Sequence, residues 1–274
     1  MSKYILSDIH GCLETLKKLK EQLGDELVFA GDLVDRGPDS RGVIDFVRSG
    51  GYDCIKGNHE VLMIEGLEFK DDKAFIKLQV DGWTGRLYSL WLYNGGRNTL
   101  YNYAHDETTL IARLSGLDDD ELDDAYKLSR IDITEYVDVA ALKADVEWLK
   151  TLPYYLEYLE LKDSEGQHLL VTHTTASEVW ELKDSPEGTM QHDKFIEGIT
   201  WDRISFPAKI EGIFNVYGHT PQKHNATVKS HFACVDTGCY FTQGIYNKLS
   251  ALQFPEKTVF VQNNVEKKDG RETI

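Results

Sequence analysis

Six short segments of this 274-residue chain end in side chains able to hold metal ions or move protons. In order they are Asp8-x-His10, Gly31-Asp32-x-x-Asp35-Arg36-Gly37, Gly57-Asn58-His59-Glu60, His173, Gly218-His219 and Asp236-Thr237-Gly238. Hard carboxylate or amide oxygens alternate with imidazole nitrogens. Such a mixed set suits manganese, iron or zinc better than calcium, which prefers oxygen alone. Asp8 and His10, two apart on an extended segment, project to the same side and can ligate one ion. Asp8, His10, Asp32, Asn58, His173 and His219 are too many donors for a single metal. A shared carboxylate would let two ions sit about 3.5–4 Å apart, the arrangement that activates water and polarises a phosphoryl oxygen. Arg36 and a second arginine would then grip the phosphate, whose oxygens match the guanidinium fork.

Each of these segments follows a short apolar run. The runs are Tyr4–Leu6, Leu27–Ala30, Cys54–Lys56, Leu169–Val171, Phe214–Tyr217 and Ala233–Val235. All are strand-length, rich in β-formers and halted by turn formers. Helical spacing lies between the early ones: Leu13, Leu16, Leu19 and Leu23 share a face, as do Val43, Ile44 and Val47 behind Asp39 and Ser40. Alternating strands and helices predict an α/β architecture, with ligands bound outside the carboxyl ends of the strands. Residues 138–150 predict an amphipathic helix through Val139, Leu142, Val146 and Leu149. The expected organisation is a single domain over 1–274, with a mainly helical insertion at about 60–150. A last strand at Thr258–Gln262 precedes a charged, frayed tail at about 263–274.

Hydrophobic residues make up 41% of the chain, which excludes a disordered protein. No apolar run approaches the roughly 20 residues of a membrane span, and the first residues are too polar for a secretory signal. A soluble, cytoplasmic protein is expected, with no membrane partner. The net charge of −16 argues against nucleic acid. Residues 101–150 alone hold 13 acidic and 5 basic side chains, and Asp118–Asp124 reads as a solvated face. Cys12, Cys54, Cys234 and Cys239 lack CxxC spacing, so neither a zinc ribbon nor a disulfide framework is suggested. His105, His168, His192, His224 and His231 read as structural, and Trp148, Tyr154, Tyr155 and Tyr158 as core. Asp35 has a plainer alternative as a partner of Arg36 or a helix cap, and Arg203 as a surface charge.

Taken together, the blocks at Asp8–Gly11, Gly31–Gly37 and Gly57–Glu60 resemble the three-block signature of the metal-dependent phosphoprotein phosphatases. The likeness continues through His173, Gly218-His219-Thr220-Pro221 and Asp236-Thr237-Gly238, spanning residues 4 to about 262. Trp91-Leu92-Tyr93-Asn94-Gly95-Gly96 and Trp201-Asp202-Arg203 make it most similar to the bacteriophage lambda-type branch. Three departures are Ser7 before Asp8, Lys56 before Gly57, and Thr174-Thr175 after His173.

The resemblance implies a calcineurin-like metallophosphoesterase fold, a β-sandwich flanked by helices. It implies two divalent ions, manganese foremost, with iron or zinc as alternatives. Asp8, His10 and Asp32 would hold the first; Asp32, bridging, with Asn58, His173 and His219 would hold the second. His59 would be the general acid, oriented by Asp35, and Arg36 and Arg203 would clamp the phosphate. The implied reaction is direct attack of metal-bound hydroxide on phosphoserine or phosphothreonine in proteins and peptides, without a phosphoenzyme. Phosphotyrosine and small phosphomonoesters are further implied substrates. The alternative is a symmetrical diadenosine tetraphosphate hydrolase. Those relatives commonly read Gly-Asn-His-Asp and lack Asn-Gly-Gly, so Glu60 and Asn94-Gly95-Gly96 favour the phosphatase. A binding protein that kept the fold but lost catalysis would be expected to lack a ligand or the acid, and here none is missing.

Overall fold

Short runs of two to eight residues set the strands of this chain, and Gly, Asp or Asn follows closely after β1, β2, β3, β11 and β13. A computed structural model describes residues 2–82, 87–115, 130–241 and 243–267. The chain opens with β1 (Lys3–Leu6), α1 (Leu13–Lys20), β2 (Leu27–Phe29), α2 (Ser40–Ser49), β3 (Asp53–Cys54) and α3 (Asn58–Gly66). Then come β4 (Leu67–Lys70), β5 (Lys73–Lys77), β6 (Gln79–Val80), β7 (Leu87–Tyr88), α4 (Arg97–Tyr101) and α5 (Glu107–Ser115). After β8 (Arg130–Asp132) and α6 (Val139–Thr151) follow β9 (Tyr155–Lys162), β10 (His168–Thr172) and α7 (Met190–Trp201). The last strands are β11 (Ile213–Tyr217), β12 (Thr227–Val228), β13 (Phe232–Cys234), β14 (Lys248–Phe254) and β15 (Thr258–Asn263).

Two five-stranded sheets result, ordered β15-β14-β1-β2-β3 and β12-β13-β11-β10-β9. Their central pairs, β1–β2, β2–β3, β10–β11 and β11–β13, are parallel. The two-residue period of a strand divides each apolar run between two layers. Ile5, Val28, Leu169, Val171, Phe214, Val216, Leu252 and Phe254 meet between the sheets. Leu6, Leu27 and Phe29 face outward into a cluster with α1, α2, α3 and α6, while Leu170 and Ile213 face Phe195 and Ile199 of α7. The architecture is thus the expected sandwich flanked by helices, with mixed α/β sheets. The Asp39 and Asp138 side chains start α2 and α6 by accepting from the Gly42 and Ala141 N–H groups at 2.8 and 3.0 Å.

Among the described residues of the insertion helix outweighs strand, but β4, β5 and β8 add a three-stranded antiparallel sheet and β6–β7 a further hairpin that the sequence did not announce. Asp71 and Asp72, at φ 49° and 60°, make the two-residue turn between β4 and β5, and short acidic side chains are among the few that tolerate it. Tyr155 and Tyr158 of strand β9 are half-buried and, like Tyr154 and Trp148, pack against the core clusters. The tail is fastened rather than frayed as far as Glu266, whose carboxylate accepts from the Thr15 N–H at 2.8 Å. The acidic run Asp118–Asp124 lies outside the described residues. No helix among them is long and apolar enough to cross a membrane.

Phe214 is fully buried and its ring lies 5.4 Å from that of Phe254. Phe214→Ala should therefore cost about 3–5 kcal/mol, read as a lowered urea midpoint at unchanged slope. A loss under about 1 kcal/mol would mean that the inter-sheet layer does not hold the sandwich together.

Candidate metal centre and active site

The parallel strands of both sheets point their carboxyl ends the same way, and the candidate residues sit there. Asp8 follows β1, Asp32 follows β2, Asn58 follows β3, His173 follows β10, and His219 follows β11. All five are at least nine-tenths buried, as are His10, Asp35 and His59. Loop backbones lock in sequence: Asp8 N donates to Gly31 O at 3.1 Å and His10 N to Asp32 O at 3.0 Å. Asp8, His10, Asp32, Asp35, Arg36 and His219 all have positive φ, between 47° and 71°. Asp and His are enriched in this region among non-glycine residues, but Arg is not. A Cβ on Gly57 would stand 2.2 Å from Asp32 Oδ1, so glycine is needed there to let the loops meet.

Asp32 lies at the junction of two donor groups. His10, Asp32 and His59 offer ligand atoms within 4.8 Å of one another, and so do Asp32, His173 and His219. His173 Nε2 lies 3.4 Å from Asp32 Oδ2, 2.9 Å from Asn58 Oδ1 and 3.2 Å from His219 Nδ1. His219 Nδ1 is in turn 2.9 Å from Asn58 Oδ1. The Ala30 carbonyl, 2.8 Å from His173 Nδ1, can only accept, which places that ring's proton outward and its Nε2 lone pair inward. His10 repeats the pattern through Nδ1 and the Val34 carbonyl at 2.8 Å, leaving Nε2 3.6 Å from Asp32 Oδ2 and 3.9 Å from Asp8 Oδ1. Oxygen and nitrogen lone pairs thus converge with few protons between them. That crowding fits divalent cations, and the donor chemistry fits the mixed-ligand metals.

The electrostatics show the carboxylates drawing a proton onto His173 while His10 and His219 stay neutral. Burial, then Arg36 and His59, holds His10 well below the usual imidazole range. Burial and His173 bring His219 down to about 3. Burial also opposes the charge on His173, but the Asp32 and Asp8 carboxylates outweigh it and push that ring up to about 10. Burial and the Asp32 charge raise Asp8, and burial and Asp8 raise Asp236. Three buried carboxylates compete for too little positive charge. Asp236 bonds no donor residue; its Oδ1 accepts from the Gly238 N–H at 2.8 Å.

His59 and Asp35 form a buried pair, with His59 Nδ1 2.7 Å from Asp35 Oδ2. Donor proximity alone would admit His59 as a metal ligand; this bond occupies Nδ1 and leaves Nε2 for ligation or for proton transfer. Sequence reasoning missed what holds Asp35. Its Oδ1 accepts from Trp91 Nε1 at 3.0 Å and Thr99 Oγ1 at 2.7 Å, both from the insertion. Asp35 neither caps a helix nor pairs with Arg36. The insertion also seats Arg36, whose N–H donates to the Gly95 carbonyl at 3.2 Å. A Cβ on Gly95, at φ 106°, would stand 2.8 Å from Arg36 Cγ, which gives Asn94-Gly95-Gly96 its physical role. The Arg36 guanidinium lies 4.6 Å from the Tyr240 ring centre and 3.2 Å from His10 Nε2, with no carboxylate paired to it among the described residues. Arg203 is exposed beyond the end of α7, and its charge helps lower His219. Trp91 opens a motif noted in the sequence, though without a role assigned to it; Tyr240 and Thr99 carried no local signal of a site role.

Glu60 is also more than a motif letter. Its carboxylate accepts from the N–H groups of Asp32, Leu33 and Gly57, each at 2.8 Å, and of Val34 at 3.3 Å. Burial and the Asp32 charge push it up to about 7, against the pull of these donors. Glu60→Gln would turn amide protons toward backbone N–H groups, at a cost of about 2 kcal/mol or more. Chemical denaturation should show this loss; a cost below about 0.5 kcal/mol would remove Glu60 as the anchor of these loops.

The model of the calcineurin-like phosphoesterase family matches residues 1–223. A 98-residue stretch is 35% identical to serine/threonine-protein phosphatase 1 of Salmonella typhimurium, covering 34% of this chain and 38% of that protein. A 71-residue stretch is 45% identical to the symmetrical bis(5'-nucleosyl)-tetraphosphatase of Pectobacterium atrosepticum, covering 23% and 25%. These alignments span well under half of either relative. The asymmetrical bis(5'-nucleosyl)-tetraphosphatase PrpE of Bacillus velezensis aligns over 97% of this chain and 94% of its own length, at 28% identity. The fold is shared with a crystal structure described as a putative diadenosine tetraphosphatase, at a TM-score of 0.51 and 17% identity over 97% of this chain and 95% of that one. With the strand-end donor set in place and the family model covering most of its length, this chain belongs to the calcineurin-like phosphoesterases.

Proposed function

We propose that the chain is a two-metal phosphomonoesterase acting on phosphoserine and phosphothreonine in proteins. The observation that carries the chemistry is the convergence of two donor groups on Asp32 beside the His59–Asp35 pair. In this reading Asp8, His10 and Asp32 hold one ion, and Asp32, Asn58, His173 and His219 the other. Bound there, divalent ions would acidify a water and polarise the phosphoryl group. Arg36 and Arg203 orient the phosphate oxygens. His59, its Nδ1 held by Asp35, delivers a proton from Nε2 to the departing serine or threonine oxygen. The Asn94–Gly96 turn that seats Arg36, and the Glu60 anchor, support the protein phosphatase over its rival. Manganese is the proposed resident metal.

The second reading, hydrolysis of diadenosine tetraphosphate, is favoured by the names of several relatives. One experiment separates the two: initial rates of manganese-loaded protein on phosphoserine, phosphothreonine and phosphotyrosine peptides and on diadenosine tetraphosphate. Peptide efficiency at least about a hundredfold higher, a difference of roughly 2.7 kcal/mol in transition-state stabilisation, is expected. The reverse ratio overturns the substrate class and leaves the site assignments standing.

His59→Asn should lower turnover by roughly 10²–10⁴ while two ions per chain remain by elemental analysis. Full activity in that variant would falsify the general-acid role. Asp32→Asn should disturb both ions, and Arg36→Ala should weaken inhibition by inorganic phosphate as well as turnover. An Asp32→Asn protein with two tightly held ions and normal rates would end the bridging assignment.

A further inference from the structure

A groove of about 740 Å³ runs beside the site between α3 and α7. Both walls are continuous with site elements. The first residues of α3 are Asn58 and His59, and Val61 and Glu65 of the same helix line the groove. The last residues of α7, Thr200 and Trp201, line it just before Asp202-Arg203. The Thr174 N–H, one residue beyond His173, donates to the Ile199 carbonyl at 2.9 Å and fixes α7 against the site.

The lining is acidic. Glu65, Glu187, Asp193 and Glu197 are all exposed, and their carboxylates have no ion-pair or hydrogen-bond partner among the described residues. Two polar atoms in the same lining lack partners although buried: Thr200 Oγ1, on a side chain 1% exposed, and His192 Nδ1. A buried hydroxyl left unbonded is costly unless something supplies its partner. Tyr154 and half-exposed Trp201 add aromatic surface. The structural reading of His192 leaves its unpartnered nitrogen unexplained.

The occupant is not a metal ion. Among the described residues, the only sets of three carboxylate, imidazole or thiol donors within 4.8 Å are the two at Asp32. No three of the groove carboxylates therefore stand close enough together to hold one cation. Nor is it a polyphosphate, which four unpaired carboxylates would repel. Spaced negative charges along a trough suit spaced ammonium or guanidinium groups on an extended chain.

We propose that the groove binds the basic flank of a phosphorylated protein segment. Lys or Arg side chains meet Glu187, Asp193 and Glu197, the peptide backbone satisfies Thr200, and the phosphate reaches Arg36. The proposal rests on the protein-phosphatase reading above and names the sequence context which that activity prefers.

Two phosphothreonine peptides, identical but for three flanking Lys/Arg or three Gln, provide the test on the manganese-loaded full chain. Three exposed charge pairs should favour the basic peptide by about tenfold in kcat/KM, and the preference should shrink at high salt. The triple variant Glu187→Gln, Asp193→Asn, Glu197→Gln should bring the ratio close to one while p-nitrophenyl phosphate turnover stays unchanged. Equal efficiencies in the parent chain, or a ratio that survives the triple variant, overturns the proposal. A fluorescent, unphosphorylated Lys-rich peptide followed by anisotropy separates this question from catalysis. Binding weakened by the triple variant supports the groove even if no phosphopeptide is turned over, in which case the phosphatase reading falls instead. No binding, with phosphopeptides still hydrolysed without regard to their flanks, overturns the groove and keeps the phosphatase. Thr200→Val should leave the free protein at least as stable and weaken the basic peptide's binding; unchanged affinity counts against a chain lying along α7.

Discussion

Four backbone N–H groups, three following β2 and one following β3, donate to the single buried carboxylate of Glu60. Strand-end loops have no ladder partners of their own, so their polar groups must be satisfied from elsewhere once buried. Glu60 does this from the first turn of α3, and in doing so it fixes where Asp32 stands relative to Asn58 and His59. The Asp32 Oδ1 atom returns the favour by accepting from the His59 N–H at 3.0 Å. Every other donor is placed against this junction. The His219 N–H donates to Asp8 Oδ2 at 2.9 Å, which carries the constraint across to the second sheet.

The insertion is part of this arrangement and not an appendage to it. Trp91 and Thr99 bond Asp35, Gly95 and Asn98 bond the Arg36 backbone, and Asn102 accepts from the Ser40 N–H at 2.7 Å at the start of α2. Leu100, Tyr103 and Leu142 share the core cluster of α1 and α2. The His59–Asp35 pair and Arg36 are therefore supported from a segment remote from them in sequence. A neutral indole and a hydroxyl support Asp35 without adding charge, so its second oxygen remains available to His59.

The strand ends were legible because function and folding ask for the same thing there. A run such as Leu27–Ala30 must stop, and Gly31-Asp32 both stops it and supplies a ligand. Spacing exposed the donors, because residues at neighbouring parallel strand ends converge whatever the loops do in detail. What stayed hidden was either non-local or weakly patterned. Tyr240 reaches Arg36 by packing across the site. β4 and β5 are short, and their burial alternates poorly, so neither period stands out until they pair with each other and β5 with β8. Glu60 looked like a motif position because nothing in sequence shows which N–H groups a carboxylate will meet. His192 and Thr200 belong to α7, and nothing in the sequence shows that their polar atoms would be buried without partners.

Six left-handed residues at one site have a thermodynamic consequence. Each non-glycine residue held in that conformation costs the folded chain of order 1 kcal/mol, least where Asp or His occupies it. The carboxylates crowded beside them add mutual repulsion. Anything that binds the assembled loops but not the unfolded chain is then linked to folding, contributing RT ln(1 + [L]/Kd), about 2.7 kcal/mol at a hundredfold excess over Kd. For this chain the melting temperature is a binding isotherm as much as a measure of its sandwich. Two preparations that differ only in free divalent cation are, thermodynamically, different proteins.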